Sequence, residues 1–317
     1  MSQSPIINEN MLAGRKLQEL GVKELDAHAT KNLRIMAVMV MVIPFLGFLE
    51  AIRLVLTGHG LGHDLYLFLV MYVVHIGGIS IGFHRLAAHR TFKTGPFLKH
   101  LFMISGSIAG QGPVMFWVAT HRRHHTYSDS EGDPHSPHVK FGKNSLRGLW
   151  YAHMPWMLSK EVSSWSAFGL DILKDKIFYF YNRTYFLWLL MGLVIPTVVG
   201  FLLDESVLGA WKGFIFGGLC RLFLANQAAW CVGSISHRFG GRPFNNRDQS
   251  ANNWLVALFT FGEGLQNNHH AFPGWYRHGV RWWEPDLSGW ILTGLGKMGL
   301  VSGFRNPSQS DIKKLLR

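Results

Sequence analysis

Three short histidine clusters punctuate the chain: His84-Arg-Leu-Ala-Ala-His89, His121-Arg-Arg-His124-His125 and Gln266-Asn-Asn-His269-His270. Neutral imidazole is the commonest metal-ligating side chain, and it holds a transition metal only where several converge. In the second cluster the histidines stand at i, i+3 and i+4, so a helix places them on one face. Residues 269 and 270 repeat the last two positions, with Gln266 in the first. His84 and His89 are five apart, a spacing that suits the frayed end of a helix. Seven histidines and one glutamine are enough for two metal ions. Capping of helix ends or contact with lipid headgroups explains one such cluster; three on one side of a membrane point to a metal centre.

The donor type narrows the metal. Structural zinc takes four ligands, often with Cys, and this set is larger and has none. Soluble di-iron bundles use Glu and Glu-x-x-His motifs, which these clusters lack. A histidine-rich di-iron site is the best remaining choice. Iron activates dioxygen, and a membrane setting implies an apolar substrate with unactivated C–H bonds.

The elements that must carry these clusters are membrane helices. The 317 residues are 48% hydrophobic and 16% charged, with 12 Trp and 23 Phe, against roughly 25% charged in soluble domains. Four segments approach the roughly 20 apolar residues a span needs: about 35–56, 65–83, 185–203 with Pro196 inside, and 208–235, interrupted by Lys212 and Arg221. The net charge of +12 sits in the N-terminal tail, the 84–184 region and the last 80 residues. The excess of positive charge in cytoplasmic loops then puts both termini and the active site in the cytoplasm. A nucleic-acid reading of the same charge lacks a binding motif. The stretch 97–118 is apolar enough to suggest a fifth span, but Lys99, His100, Gln111, Gly112 and Pro113 favour an interfacial helix pair. That choice keeps all three clusters on one side.

The expected fold is therefore an all-α integral membrane protein, four transmembrane helices with a cytoplasmic helical cap holding a histidine-rich di-metal site. Its parts are a cytoplasmic N-terminal segment (1–33), a membrane domain (34–290, with 84–184 and 236–290 cytoplasmic) and a C-terminal cytoplasmic tail (291–317). The first 33 residues have no apolar h-region, so a cleaved signal peptide is not expected. Cys220 and Cys231 fall in one segment, about 16 Å apart along a helix and beyond disulfide reach.

The clusters and their flanks resemble the membrane fatty-acid desaturases, specifically the Δ9 acyl-CoA or acyl-lipid type. The resemblance is carried by Gly82-Phe-His-Arg-Leu-Ala-Ala-His-Arg-Thr91, His121-Arg-Arg-His-His-Thr-Tyr-Ser-Asp129, Gly132-Asp-Pro-His135 and Gly262-Glu-Gly-Leu-Gln-Asn-Asn-His-His-Ala-Phe-Pro273, within roughly 35–290. It implies two iron ions held by His84, His89, His121, His124, His125, His237, His269 and His270, with Gln266 a further candidate. His237 enters on the resemblance alone. Gln111 and Trp117 match residues lining the bend of an acyl tunnel, while Trp117 also reads as an interfacial anchor. Two departures stand out. Gln266 replaces the usual histidine of Δ9 enzymes, and Gly233 replaces an asparagine that holds a metal-bound water.

The implied reaction uses O2 to remove two hydrogens from adjacent methylenes of a long acyl chain, leaving a cis double bond. Every methylene is chemically alike, so only a bent, water-excluding tunnel can select one pair. Ligating histidines also need acceptors for their other ring nitrogen. Glu131, Asp133 and Glu263 lie close enough in sequence to serve. Two cysteines cannot ligate a cluster that needs four, so electrons are expected from a ferredoxin or cytochrome b5-like donor with its reductase. A fatty-acyl or alkyl hydroxylase would share these ligands. A non-catalytic metal-binding membrane protein is the distinct alternative, but a transporter places ionisable groups mid-span, where His75 is the only histidine.

Overall fold

The computed structural model describes residues 16–60, 62–143 and 145–317. Among them, four helices are long and apolar enough to cross a bilayer: Ala27–Leu56, His63–Ala88, Tyr185–Asp204 and Val207–His237. The first is eight residues longer at its start than apolarity suggested, because Asp26 caps it by accepting from the Ala29 amide at 2.8 Å. Its outer face exposes Ile35, Met39, Val42, Leu46 and Leu49. In water such a stripe would be costly; in a bilayer it is the natural surface.

The second span changes character halfway. It is α-helical over His63–Gly77 and a π-helix over Gly78–Ala88. The wider turn closes with the His89 amide donating to the His84 carbonyl at 3.0 Å, an i→i+5 bond. The five-residue interval between His84 and His89 is thus one π turn, where a frayed α-helical end was expected. Glycine permits the close crossing beside it: a Cβ on Gly78 would lie 2.2 Å from the Ser105 carbonyl carbon.

The third and fourth spans are joined by small residues and one buried cation. A Cβ on Gly213 would meet the Pro196 carbonyl oxygen at 2.1 Å, a contact of the kind that lets membrane helices approach closely. Pro196 has no N–H to give the Gly192 carbonyl. Arg221, fully buried, supplies the missing donor at 2.7 Å and also donates to the carbonyls of Ile108 and Gly217, each at 3.0 Å. This accounts for one of the two charges in the fourth span. The other, Lys212, pairs with Asp204 at 2.8 Å and Asp64 at 3.2 Å.

The 97–118 stretch is a helix pair, as its polar residues required. Pro96–Ser107 and Val114–Tyr127 are separate helices of 12 and 14 residues, each too short to span. Gly110 and Gly112, at φ +72° and +92°, make the turn between them. Phe83, Met103, Met115, Val118 and Ile172 form the apolar core where this pair meets the π-helix and the cap. Two short antiparallel pairings tie down the periphery, Val22–Glu24 with Glu161–Ser163 and Lys93–Thr94 with Val301–Ser302. The segment from 291 onward, expected as a tail, begins inside the helix Leu287–Lys297 and buries Leu292 completely.

Candidate metal centre

Five imidazoles come together at the end of the second span. His84 and His89 arrive on the π turn, His121 and His125 on one face of Val114–Tyr127, and His269 on the short helix Gln266–Ala271. One ring nitrogen from each lies within 4.8 Å of all the others. The Nε2 atoms of His84 and His269 are 3.1 Å apart, those of His89 and His121 2.7 Å, and those of His125 and His269 2.9 Å. Burial, reinforced by neighbouring imidazoles, pushes His89, His121, His125 and His269 well below the ordinary histidine value. Converging neutral imidazoles are the donor set a transition metal takes.

A second group lies beside the first. His124, His237 and His270 bring ring nitrogens within 4.8 Å of one another, and the His125 and His270 rings stack at 4.4 Å. The Nε2 atoms of His237 and His270 are buried and have no hydrogen-bond partner among the described residues. Buried polar atoms are rarely left so. A cation between them would supply the missing partner, so both groups fit a metal.

The outward nitrogens meet carboxylates. His84 Nδ1 lies against Glu263, which also receives Ser80 and Arg85. His124 Nδ1 donates to Asp133 at 3.0 Å, His237 Nδ1 to Asp129 at 3.0 Å and His270 Nδ1 to Asp248 at 2.6 Å. Such bonds fix the tautomer and aim Nε2 inward. Burial alone would raise the Asp129 carboxyl, but His237 and hydrogen bonds from Ser136 and the Gln249 amide hold it far below the carboxylate range. Burial opposes ionisation of Glu263 too, and is overridden by His84, His278 and Arg85. The two groups are unequal: among the described residues only His84 of the first five meets a carboxylate, whereas all three at the second have their own aspartate.

An apolar cavity of about 380 Å³ runs along both groups, touching His84, His121, His124 and His237. Ile79, Phe116, Tyr185 and Trp230 are among its walls. Trp117 stacks on His121 with centroids 4.9 Å apart, and its Nε1 donates to Gln111 Oε1 at 3.0 Å. Gln111 in turn donates to Asn226 Oδ1 at 3.0 Å. Both residues expected at a tunnel bend therefore line this cavity.

Gln266 is buried on the cavity wall, with its amide nitrogen donating to the Glu263 carbonyl at 2.8 Å. Of the three carboxylates expected behind the histidines, Asp133 and Glu263 are there and Glu131 is not. Glu131 is 67% exposed and paired with Lys16 at 2.6 Å, because the loop turns it outward while Asp129 and Asp133 point in. Sequence reasoning missed Asp129, Asp248, His135 and His278. His278 is buried with its ring 4.4 Å from that of His269. Asp129 sits inside the quoted second motif, four residues after His125, and that proximity was the available signal. Nothing local marks Asp248 or His278.

A family model described as fatty acid desaturase matches residues 63–287. The chain is 40% identical over 278 residues to a hex-5-enoyl-[acyl-carrier protein] acetylenase of Moorena producens, covering 86% of each. It is 36% identical to an sn-1 stearoyl-lipid 9-desaturase of Anabaena variabilis, over 72% of this chain and 78% of that one. It is 34% identical to acyl-CoA desaturase 1 of Saccharomyces cerevisiae, over 80% of this chain and 48% of the relative.

Proposed function

From the premise that this chain belongs to the fatty acid desaturase family, and is an oxidoreductase acting on fatty acyl substrates, we propose that it introduces a cis double bond at the Δ9 position of a long-chain acyl group. The observation that carries the reading is the apolar cavity lying against two groups of converging histidines. The metal ligands in this reading are His84, His89, His121, His125 and His269 at one position and His124, His237 and His270 at the other.

Two irons at these positions would supply the reduction of O2 and the abstraction of hydrogen. The rest falls to the chain's own residues. Trp117, held by Gln111 and through it by Asn226, stiffens the cavity wall beside His121, so that a single pair of methylenes faces the metals. The apolar walls keep water from the reacting carbons. Glu263, Asp133, Asp129 and Asp248 fix the tautomers of the histidines they face. Electrons come from a ferredoxin or cytochrome b5-like donor, with its reductase, on the cytoplasmic side. The net charge of +12 favours an acidic carrier.

The test is lipid analysis of a desaturase-deficient host expressing the chain, beside a variant with His124→Ala and His125→Ala. New cis-monoenes absent from the variant are expected, and their double-bond position tests Δ9. Hydroxylated chains would reassign the protein to an oxygenase. No product from folded, iron-loaded protein with a working donor would overturn the reading.

A further inference from the structure

The second histidine group is short of donors. His124, His237 and His270 give three nitrogens against five at the first position, and a protein-bound transition metal generally takes four or more ligands. A fourth imidazole stands next to them. His135 stacks on His124 with ring centroids 4.5 Å apart, lines the same cavity, and is anchored by its own amide donating to Asp133 Oδ1 at 3.0 Å. Asp133 is the carboxylate that receives His124 Nδ1. The His135 Nδ1 atom is buried and has no hydrogen-bond partner among the described residues. Buried polar atoms are rarely left unpaired, and a residue present only for packing would not need such an atom there.

That nitrogen faces Gly233, in the last turns of the fourth span. A Cβ there would lie 3.1 Å from His135 Nδ1 and 3.2 Å from Cε1, tighter than ordinary contact. The two residues line one cavity together with His124 and His237 of the three-histidine group.

We propose that His135 is a positioning residue of the second metal position, holding through Nδ1 a water ligand in the cavity that it lines with His124, His237 and Gly233. His135 does not join the other three histidines within ligand distance of one another, which suits an interaction through water better than direct ligation. The inference rests on the di-metal reading and assigns a water ligand of the second position to a residue outside the three histidine clusters. Water held this way bridges two polar groups at little cost.

The experiment loads the full-length chain in detergent with Fe(II) under anaerobic conditions and measures iron per chain and Mössbauer spectra. Native protein with two irons in unequal environments establishes the starting point, and native protein without iron would sink the di-iron reading itself. His135→Ala is expected to weaken iron at one position by roughly 10–100-fold, leaving the signal of the other. His135→Gln, whose amide can hold a water, should restore much of the loss. Gly233→Ala should reproduce the loss with His135 intact. Unchanged iron content and spectra in His135→Ala would overturn the proposal. So would equal loss from both positions, or loss that His135→Gln fails to relieve, since either assigns His135 to packing.

Discussion

Asp129 accepts a hydrogen bond from His237 Nδ1 at 3.0 Å across 108 residues of sequence, from the loop after the second histidine cluster to the end of the fourth span. The same carboxylate receives Ser136 Oγ at 2.7 Å and the Gln249 amide at 2.8 Å. It thus fixes one histidine of the second group and ties together two cap segments that meet nowhere in sequence. Asp129→Asn keeps the shape and removes the charge. Iron at the second position should bind roughly 10–100-fold more weakly, as read by titration against a competing chelator. Unchanged affinity would show that the charge on Asp129 is not transmitted through the ring to Nε2.

Arg85 is the only cation shared by Glu263 and Asp286, at 3.2 and 2.8 Å, among the described residues, and it is fully buried. Removing one partner of a buried ionic group strands the others, typically at about 3–5 kcal/mol. Arg85→Met should lower the melting temperature of the purified protein substantially. Asp286→Asn added to it should recover part of the loss, because one stranded charge goes. If the double variant is no better than the single one, the cost lies in the lost guanidinium packing and its bond to the Tyr276 carbonyl at 3.1 Å.

Much of this architecture was legible in the chain. The four spans followed from runs of apolar residues, and the helical face of His121, His124 and His125 followed from i, i+3, i+4 spacing. The break between Ser107 and Val114 was foreshadowed by Gln111, Gly112 and Pro113. What stayed hidden was set by tertiary contact. The π turn carrying His84 and His89 depends on the close crossing at Gly78, which no periodicity announces. Asp248 reaches His270 from 22 residues away. Glu131 lies two residues from both Asp129 and Asp133, and only the path of the loop decides which of the three faces the imidazoles.

Gln111 bridges Trp117 and Asn226 on the cavity wall. Gln111→Leu fills similar space but breaks both bonds and leaves the Trp117 indole N–H unpaired. The wall beside His121 then loses its fixed geometry. Double bonds should spread to neighbouring positions of the chain, since positional selection rests on placement alone. Gas chromatography with mass spectrometry of the product lipids measures this directly. A single unchanged position with lower yield would place the selecting contact elsewhere on the cavity wall.

Protons should unfold the metal-free chain from the histidine side first. Burial, against the pull of Asp248, leaves His270 at about 4, and burial beside Arg85 puts His278 at about 3. In the unfolded chain both titrate near ~6.5. Between those values the unfolded state binds protons that the folded state refuses, so stability falls as the pH drops from roughly 6.5 toward 4. His89, His121, His125 and His269, also held low by burial, add in the same direction. Each contributes up to roughly 1.4 kcal/mol per pH unit. The depressed carboxyls of Asp129, Asp133, Asp248 and Glu263 act lower, where stability present above the unfolded value near ~4 is lost as the pH falls further. Melting temperature of chelator-stripped protein should therefore decline steadily from about pH 7 to about pH 5, before any carboxyl titrates. A flat profile over that window would mean that the buried imidazoles take up their protons without leaving the folded state.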